Sequence, residues 1–390
     1  MRHATWGIAA IWMLSCAQGV PGGDGIVDVA AGATTLPPAA PDAGTPPDPA
    51  SPRGPCDPAV AATVAVADNG ACPGVLPRGA ACAAEITICS GRSAGPDGAG
   101  GDTASAATSD GRGSVVLSCH RQDVGPPQLN YLFVPTASGF LSKAGLGVDV
   151  RPLRDGFIAS QGSSLLPPPE YDFLAHDGTL RAAQNGGVLY AGPNGALLVH
   201  AEGGQLIAQS FDALGTLRST VPFASFAGAV DSLTFDGAMN TAGATLVIWQ
   251  AYGDAAANAR WLSPDGTPSA TAFTIAGWSD RAPQAAALAG GSVAIAAEPE
   301  SGTSARKWRG VIAPGETVER PAPAWLSSRG DFFLLPSDEG MAFGNEILAP
   351  DGRACGTVDL GAPLIGIGVD GTAFSARSER TFRIHPQLFR

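Results

Sequence analysis

The sequence predicts an all-β fold built from a four-stranded unit that recurs along the chain. From about residue 115 onward Gly or Pro interrupts nearly every short window, so helix-period segments are scarce. Apolar strands follow one another in pairs, and the turn Leu262-Ser263-Pro264-Asp265-Gly266-Thr267 returns as Leu348-Ala349-Pro350-Asp351-Gly352-Arg353. A unit of about 40 residues with several strands is typical of a β-propeller blade, so we expect a β-propeller over residues 115–390.

The N-terminus has the features of an export signal. Met1 and Arg2 precede the apolar run from Trp6 to Leu14, which is too short to span a membrane and fits the apolar core of a signal peptide. The run ends in Leu14-Ser15-Cys16-Ala17, which resembles the lipobox of bacterial lipoproteins. This resemblance implies a signal peptide over residues 1–16 and a lipid anchor on the Cys16 thiol. The alternative is ordinary signal cleavage after Ala17, which would give a secreted or periplasmic soluble protein.

Residues 17–55 are expected to be a disordered linker. Pro, Gly and Ala dominate this stretch, and no periodic apolar face is present that could be buried. Runs such as Pro37-Pro38 and Pro46-Pro47 favour an extended polyproline conformation. The segment is therefore either a tether that holds the folded body away from a membrane or a plain N-terminal tail.

The charge of the chain narrows the classes of partner. Asp and Glu number 35 against 23 Lys and Arg, which gives a net charge of −12. Nucleic acids and anionic lipid surfaces both attract basic proteins, so we expect neither as a partner. The expected partners are the membrane through the lipid anchor and a protein or glycan ligand.

Cysteines predict a stapled region between the linker and the propeller, residues 56–114. An even number of cysteines in an exported chain implies disulfides, and six cysteines allow 15 pairings. The pairs we favour are Cys56 with Cys72, Cys82 with Cys89, and Cys119 with Cys355. No Cys-x-x-Cys occurs, so no metal site is expected. If Cys16 carries lipid, the cysteines that remain are Cys56, Cys72, Cys82, Cys89, Cys119 and Cys355.

The number of blades follows from the recurring turn, in which Pro presets φ, Asp caps its own backbone and Gly adopts a positive φ. The mean spacing of the turn glycines, applied to residues 115–390, predicts about six four-stranded blades. The last unit departs from the pattern, with Val369-Asp370-Gly371 in place of Pro-Asp-Gly. The turn glycines are Gly178, Gly215, Gly266, Gly315 and Gly352.

The segments 247–250, 259–266, 281–286 and 292–296 resemble the repeat of bacterial extracellular β-propellers. In that repeat an aromatic-rich strand precedes a strand that ends in a Pro-Asp-Gly turn. With the leader and the proline-rich linker, the chain resembles surface lipoproteins of GC-rich Gram-negative bacteria. The resemblance implies a binding or scaffolding surface and brings no shared catalytic residues.

Residues able to carry catalysis are sparse. No Gly-x-Ser-x-Gly elbow is present, and each histidine after the leader stands alone in the sequence. We expect His176 and His385 to be solvated, His200 to lie at a blade edge, and His120 to have no catalytic role. The Gly-Asp stretch at 95–102, together with Asp110-Gly111, lacks calcium-loop spacing, which favours a flexible loop. No cofactor is expected.

Two further motifs have possible binding roles. Arg329-Gly330-Asp331 matches an adhesion tripeptide, but composition alone makes a chance match plausible. Trp278 follows Gly277 in an expected loop, so we predict an exposed ring that could stack on a sugar or a peptide.

The sequence therefore favours a non-catalytic binding or scaffolding propeller on an outer-membrane lipoprotein, on the periplasmic or the cell-surface face. A polysaccharide hydrolase or lyase of propeller type is the first alternative. A structural surface protein without a discrete ligand is the second.

Overall fold

The computed structural model describes the folded body, all of which belongs to the compact unit Ala50–Arg390. Its described residues are 56–57, 60, 64–77, 82–89, 103–120, 128–136, 139–147, 149–161, 170–226, 233–251, 254, 256–278, 285–297 and 307–389.

Seven antiparallel sheets form the body, and each is one blade of a propeller. Within a blade the strands follow chain order from the innermost outward, and the inner strands of blades 7 and 1 contact each other, which closes a ring. Blade 1 contains β3 (Thr103–Ser109), β4 (Val115–His120), β5 (Gln128–Thr136) and β6 (Gly139–Leu146). Blade 2 contains β7 (Asp149–Leu153), β8 (Gly156–Ser160), β9 (Glu170–Leu174) and β10 (Leu180–Asn185). Blade 3 contains β11 (Val188–Gly192), β12 (Gly195–Glu202), β13 (Gln205–Asp212) and β14 (Leu217–Ser225).

The remaining blades follow the same order, and the last two are completed by strands from the N-terminal segment, β1 (Ala65–Asp68) and β2 (Ala84–Thr87). Blade 4 contains β15 (Leu233–Met239), β16 (Thr245–Ala251), β17 (Ala256–Leu262) and β18 (Phe273–Ala276). Blade 5 contains β19 (Ala285–Ala287), β20 (Val293–Ala296), β21 (Trp308–Ile312) and β22 (Arg320–Pro321). Blade 6 contains β23 (Phe333–Leu334), β24 (Met341–Phe343), β25 (Glu346–Leu348), β26 (Ala354–Asp359) and, outside them, β1. Blade 7 contains β27 (Leu364–Ile367), β28 (Ala373–Ala376), β29 (Thr381–His385) and, outside them, β2.

In the part of the chain that the structure describes, two short helices interrupt the strands. Helix α1 (Ala324–Ser327) lies between blades 5 and 6, and a 3-10 helix spans Pro336–Asp338 inside blade 6. Among the described residues, no helix has the length and the apolar character that a membrane span requires.

The β-propeller prediction is confirmed, but the number of blades is seven and not about six. The five turn glycines lie in blades 2 to 6 and mark those repeats correctly. Blade 1 begins at Thr103, before the boundary expected at residue 115, and blade 7 takes its outer strand from Ala84–Thr87. A count of contiguous repeats misses a blade whose strands come from both ends of the chain.

The cysteine-rich stretch closes this ring. β1 pairs with β26 of blade 6, and β2 pairs with β29 of blade 7, so both run antiparallel to strands near the C-terminus. All three disulfide pairings that we favoured are wrong, because the segment extends across the outer edges of two blades, and only the Cys56–Cys82 bond stays within it. The disulfides are Cys56–Cys82, Cys72–Cys355 and Cys89–Cys119.

The core consists of layers between neighbouring blades. The second strand of blade 4, Thr245–Ala251, is buried almost throughout, as expected for a strand with a sheet on both sides. Aromatic side chains fill these layers: Phe173 meets Phe211 across blades 2 and 3 with 5.5 Å between ring centroids, and Phe223 meets Trp249 across blades 3 and 4 at 5.6 Å.

Candidate functional site

The two ends of the ring differ in their connections. Strands one and two, and strands three and four, of a blade join on one end, which we call the turn face. Strands two and three, and successive blades, join on the opposite end, which we call the loop face. The longest connections between strands two and three are residues 121–127, 161–169 and 297–307, which begin and end on the loop face. Binding residues concentrate in loops held by a rigid scaffold, so the loop face is the better candidate surface.

Hydrogen bonds between neighbouring blades make the turn face rigid. The Gly111 amide donates to the Arg154 carbonyl (3.1 Å), and the Arg154 amide donates to the Pro193 carbonyl (2.7 Å), which links blades 1, 2 and 3. Asn240 Nδ2 donates to the Gly291 carbonyl (3.0 Å), linking blades 4 and 5, and the Gly290 amide donates to Asp338 Oδ2 (2.9 Å), linking blades 5 and 6. The hydrogen bonds on this face therefore hold neighbouring blades together.

The turn glycines explain why the repeat motif recurs. A Cβ on Gly215 would lie 2.7 Å from Phe173 Cγ of the preceding blade, and one on Gly178 would lie 2.7 Å from Leu132 Cδ2. Both glycines have a positive φ, +80° and +83°. The motif thus provides a left-handed residue and, at Gly178 and Gly215, lets the turn contact the blade before it.

On the loop face, blade 2 presents a polar group beside the central channel. Asp149 and Arg151 lie on inner strand β7 and form an ion pair at 3.0 Å, with both side chains more than half exposed. Gln161 Nε2 donates to Asp172 Oδ2 (2.7 Å), and the Tyr171 hydroxyl donates to the Gly187 carbonyl (3.2 Å). Burial raises the pKa of Tyr171, so its hydroxyl stays protonated at neutral pH. These donors and acceptors suit a polar ligand and include no activated nucleophile.

A buried carboxylate pair lies at the junction of blades 1 and 7, on the turn face. Asp110 is fully buried, and its Oδ1 accepts the amides of Arg112 and Ser114, each at 2.9 Å. Asp370 of blade 7 accepts the Ser109 hydroxyl (2.5 Å) and the Thr372 hydroxyl (2.9 Å). Burial raises the pKa of Asp110 to about 8, and the charges of Asp370 and Asp155 add to the effect. No substrate can reach Asp110, so the pair holds blades together.

His385 is also buried, contrary to the expectation that it is solvated. It ends β29 and is fully excluded from solvent, and neither ring nitrogen has a hydrogen-bond partner. Burial lowers the pKa of His385 to about 4, and the nearby Arg383 charge contributes. Pro386 beside it suggested an exposed end, but the residues after β29 fold back, and the Phe389 amide donates to the Gly371 carbonyl (2.9 Å).

The Trp278 ring does not lie in an exposed loop. Only 7 % of the residue is exposed, and it packs with Trp261, Ile275 and Ile295 between blades 4 and 5. Gly277 before it adopts φ +63°, which turns the chain and directs Trp278 back into the core. The residue therefore seals two blades and offers no surface for stacking.

The adhesion tripeptide is engaged inside the fold. Arg329 pairs with Glu346 (2.7 Å) and donates to the Trp325 carbonyl (2.6 Å), and its guanidinium lies 5.7 Å from the centre of the Phe343 ring. The Gly330 carbonyl accepts the Trp308 indole N–H (3.0 Å). Arg329 is thus committed to contacts within the body.

Other predicted residues fall as follows. The lipidation residue Cys16 and the stretch 95–102 lie outside the described residues. His200 Nε2 lies 3.7 Å from Glu202 Oε2 at the loop-face end of β12, and His120 is exposed at the end of β4. Within the described residues, no three His, Cys, Asp or Glu side chains are placed to hold a metal ion.

Sequence reasoning missed Asp110 and Asp370 as partners. The Val369-Asp370-Gly371 turn was visible as a departure from the Pro-Asp-Gly pattern, and this departure marks the blade at which the ring closes. Asp110 followed by Gly111 was read as part of a flexible loop. Residues 260 positions apart could be brought together only by knowing that blade 7 meets blade 1.

No known protein family and no curated protein matches the sequence. Among solved structures, a prolyl endopeptidase is 12 % identical with a TM-score of 0.43; the match covers 70 % of this chain and 45 % of that one. TolB from Acinetobacter baumannii is 11 % identical with a TM-score of 0.32, covering 73 % of this chain and 63 % of TolB. A gluconolactonase-like protein is 15 % identical with a TM-score of 0.35, covering 83 % of this chain and 98 % of the other. This chain thus spans less than two thirds of the first two proteins, and nothing about its activity follows from these similarities.

Proposed function

We propose that this protein is an exported, lipid-anchored scaffold of the bacterial cell envelope that binds a protein or a glycan without catalysis. Its three disulfides indicate a body that folds in an oxidising compartment outside the cytoplasm. The lipobox-like Cys16 and the proline-rich linker supply the anchor and the reach in this proposal.

One observation carries the non-catalytic part of the proposal. Catalytic acids and bases combine a shifted pKa with access to a cleft. The described groups with the largest shifts, Asp110, Tyr190 and His385, are all buried between blades. The exposed polar groups of the loop face, such as Asp149 and Arg151, form ordinary ion pairs. Among the residues of this surface that the structure describes, no group is prepared for proton transfer, which supports binding without catalysis.

The binding surface can be located by photo-crosslinking in intact cells. A photoreactive residue at Gln161 on the loop face is compared with one at Leu180, which is 56 % exposed at the turn-face end of the same blade. We expect a discrete crosslinked product from Gln161 alone. Equal products from both positions, or none from either, would overturn the loop-face assignment and favour a structural surface protein.

The glycan and enzyme alternatives are separated by one preparation. Purified peptidoglycan sacculi are incubated with the full chain, and both cosedimentation and the release of reducing ends are measured. Cosedimentation without release supports a glycan-binding scaffold, and release of reducing ends contradicts the non-catalytic proposal.

The anchor is tested with Cys16→Ser, which should move the protein from the membrane to the soluble fraction; unchanged fractionation would contradict a lipid anchor at this residue.

A further inference from the structure

The junction of blades 1 and 7 differs from every other junction in how the chain crosses it. Successive blades from 1 to 7 are joined by the backbone, but blade 7 is joined to blade 1 only through space and through the segment that contains β2. The Cys89–Cys119 disulfide ties the end of β2 to blade 1. Opening of the ring must therefore begin at this junction or at the strands that support it.

Buried polar groups are concentrated at this junction. Ser109, Asp110 and Ser114 of blade 1 and Thr372 of blade 7 are almost fully buried. The Val369 amide donates to the Ser109 carbonyl (2.9 Å), and the Ser109 hydroxyl donates to Asp370. Asp110 Oδ2 and the Ser114 hydroxyl have no hydrogen-bond partner. A buried carboxylate oxygen without a donor is costly when ionised but tolerable when it carries a proton.

We infer that this junction is a pH-operated latch, which is held shut while the Asp110 carboxyl is protonated and loosens when that carboxyl ionises. The charged groups around Asp110 favour the protonated form. Asp370 faces it from blade 7, where burial raises the pKa of Asp370 as well, and Asp155 faces it from blade 2, where Arg112 and Arg181 pair with Asp155. The cation of its own turn, Arg112, is 54 % exposed and pairs with Asp155 at 2.6 Å.

The direction of the pH effect follows from the two states. The pKa of Asp110 is about 8 in the closed ring, against an ordinary value of 3.8 once the junction opens. The closed state thus holds more protons between these values, and stability falls as pH rises through this window, with no further loss above about 8. Burial of His385 makes stability rise with pH, but only below pH 6.5, the ordinary pKa of histidine. From pH 6.5 upward, the change in stability is therefore due to Asp110.

Blade 4 supplies a natural control. In blade 1 the Asp110 amide donates to the Ser114 carbonyl (3.0 Å), and the Ser114 amide donates back to Asp110 Oδ1 (2.9 Å). In blade 4 the Asn240 amide donates to the Ala244 carbonyl (2.9 Å), and the Ala244 amide donates back to Asn240 Oδ1 (2.9 Å). The same turn is therefore built once with an ionisable side chain and once with its neutral isostere.

The test is hydrogen exchange of the full, oxidised chain between pH 6.5 and 8.5, with rates corrected for intrinsic chemistry. We expect the opening constant reported by the Ser114 amide to rise about 25-fold over this range, from the closed and open pKa values of Asp110 alone. The Ala244 amide should change little. Asp110→Asn should remove the rise at Ser114, because the amide cannot ionise.

Two results would overturn the latch. One is an opening constant at Ser114 that rises no more than that at Ala244 in the unmodified protein, a comparison that holds even if the variant fails to fold. The other is a folded Asp110→Asn protein that keeps the pH dependence. Neither result depends on the ligand, so the latch and the proposed scaffold function can fail separately.

Discussion

Glycines in the recurring turn serve two purposes: they adopt a positive φ, and they leave room for close contact with the preceding blade. Two of these glycines allow the two effects to be measured separately. Gly215 and Gly315 occupy the same turn of blades 3 and 5 with similar φ values, +80° and +77°. A Cβ at Gly215 would meet Phe173 at 2.7 Å, whereas nothing lies within 4 Å of a Cβ at Gly315. A side chain at position 215 would therefore meet both backbone strain and crowding, whereas a side chain at position 315 would meet backbone strain alone.

We expect Gly315→Ala to lower the free energy of unfolding by about 1 kcal/mol and Gly215→Ala by about 2–4 kcal/mol. Both variants force Ala into the left-handed region, so the difference measures the contact with the preceding blade. Urea denaturation of the two variants beside the unmodified protein provides the comparison. Equal losses would show that the turn does not depend on packing against Phe173.

His385 predicts a loss of stability in acid. Its pKa is about 4 in the folded protein and 6.5 when exposed, so the unfolded chain binds the extra proton as pH falls through this range. The contribution of His385 is therefore full at pH 7 and should be lower by about 2.5 kcal/mol at pH 4.5.

Denaturation at pH 7 and at pH 4.5 measures this effect. Between the two conditions the free energy of unfolding of His385→Leu should change by about 2.5 kcal/mol in the stabilising direction relative to the unmodified protein, since leucine has no proton to bind and the opposite contribution of Asp110 is common to both proteins. His120→Gln is the matched control, because His120 is exposed at the end of β4. An identical change in stability between pH 7 and pH 4.5 in all three proteins would show that His385 does not contribute to the pH dependence.

At the scale of elements, strand β2 joins blade 7 through charge as well as backbone pairing. Glu85 pairs with Arg383 at 2.8 Å and with Arg377, both of blade 7. Burial acts to raise the pKa of Glu85, but the hydrogen bonds and charges of the two arginines outweigh it and lower the pKa. The lowered pKa means that Glu85 favours docking above the ordinary carboxyl range and loses this contribution as the pH falls below it.

Replacing this charge should loosen the strand without unfolding the body. Glu85→Gln is expected to cost about 1 kcal/mol, because the contacts are partly exposed to solvent. Amide exchange in β29 should rise, while β20, at the centre of blade 5, stays unchanged. A uniform rise across both strands would indicate a global effect and contradict a local role for Glu85.

The sequence was most informative for elements that repeat contiguously. Gly178, Gly215, Gly266, Gly315 and Gly352 mark five consecutive blades because their turns meet the same local requirement. Blades 1 and 7 lack this signal: the third and fourth strands of blade 7 lie at opposite ends of the chain, so no turn connects them. Trp278 was placed wrongly for a related reason, since a glycine before a tryptophan indicates a bend but not its direction.

At the scale of the whole molecule, the ring depends on the chain returning to its start. Disulfide pairing was beyond sequence reasoning for this cause, because Cys72 finds Cys355 at a separation of 283 residues while nearer cysteines are available. Proximity in sequence favours local pairs, whereas the propeller places its first described strands beside its last. The buried pair Asp110 and Asp370 was missed for the same reason.

The disulfides should contribute unequally to the stability of the folded protein. In the chain-entropy model a cross-link stabilises more when it closes a longer loop, which gives about 5–6 kcal/mol for the separation of 283 residues in Cys72–Cys355 and about 3.5 kcal/mol for the 26 residues in Cys56–Cys82. Cys355 is fully buried while Cys56 is exposed, so packing acts in the same direction.

We therefore expect the paired Ala variant of Cys72 and Cys355 to unfold at a lower urea concentration than the paired Ala variant of Cys56 and Cys82. The difference in the free energy of unfolding should be about 2 kcal/mol or more. Both variants keep two disulfides, which makes them controls for each other. Equal stabilities would show that pairing of β1 and β2 with blades 6 and 7 closes the ring without help from the long-range bond.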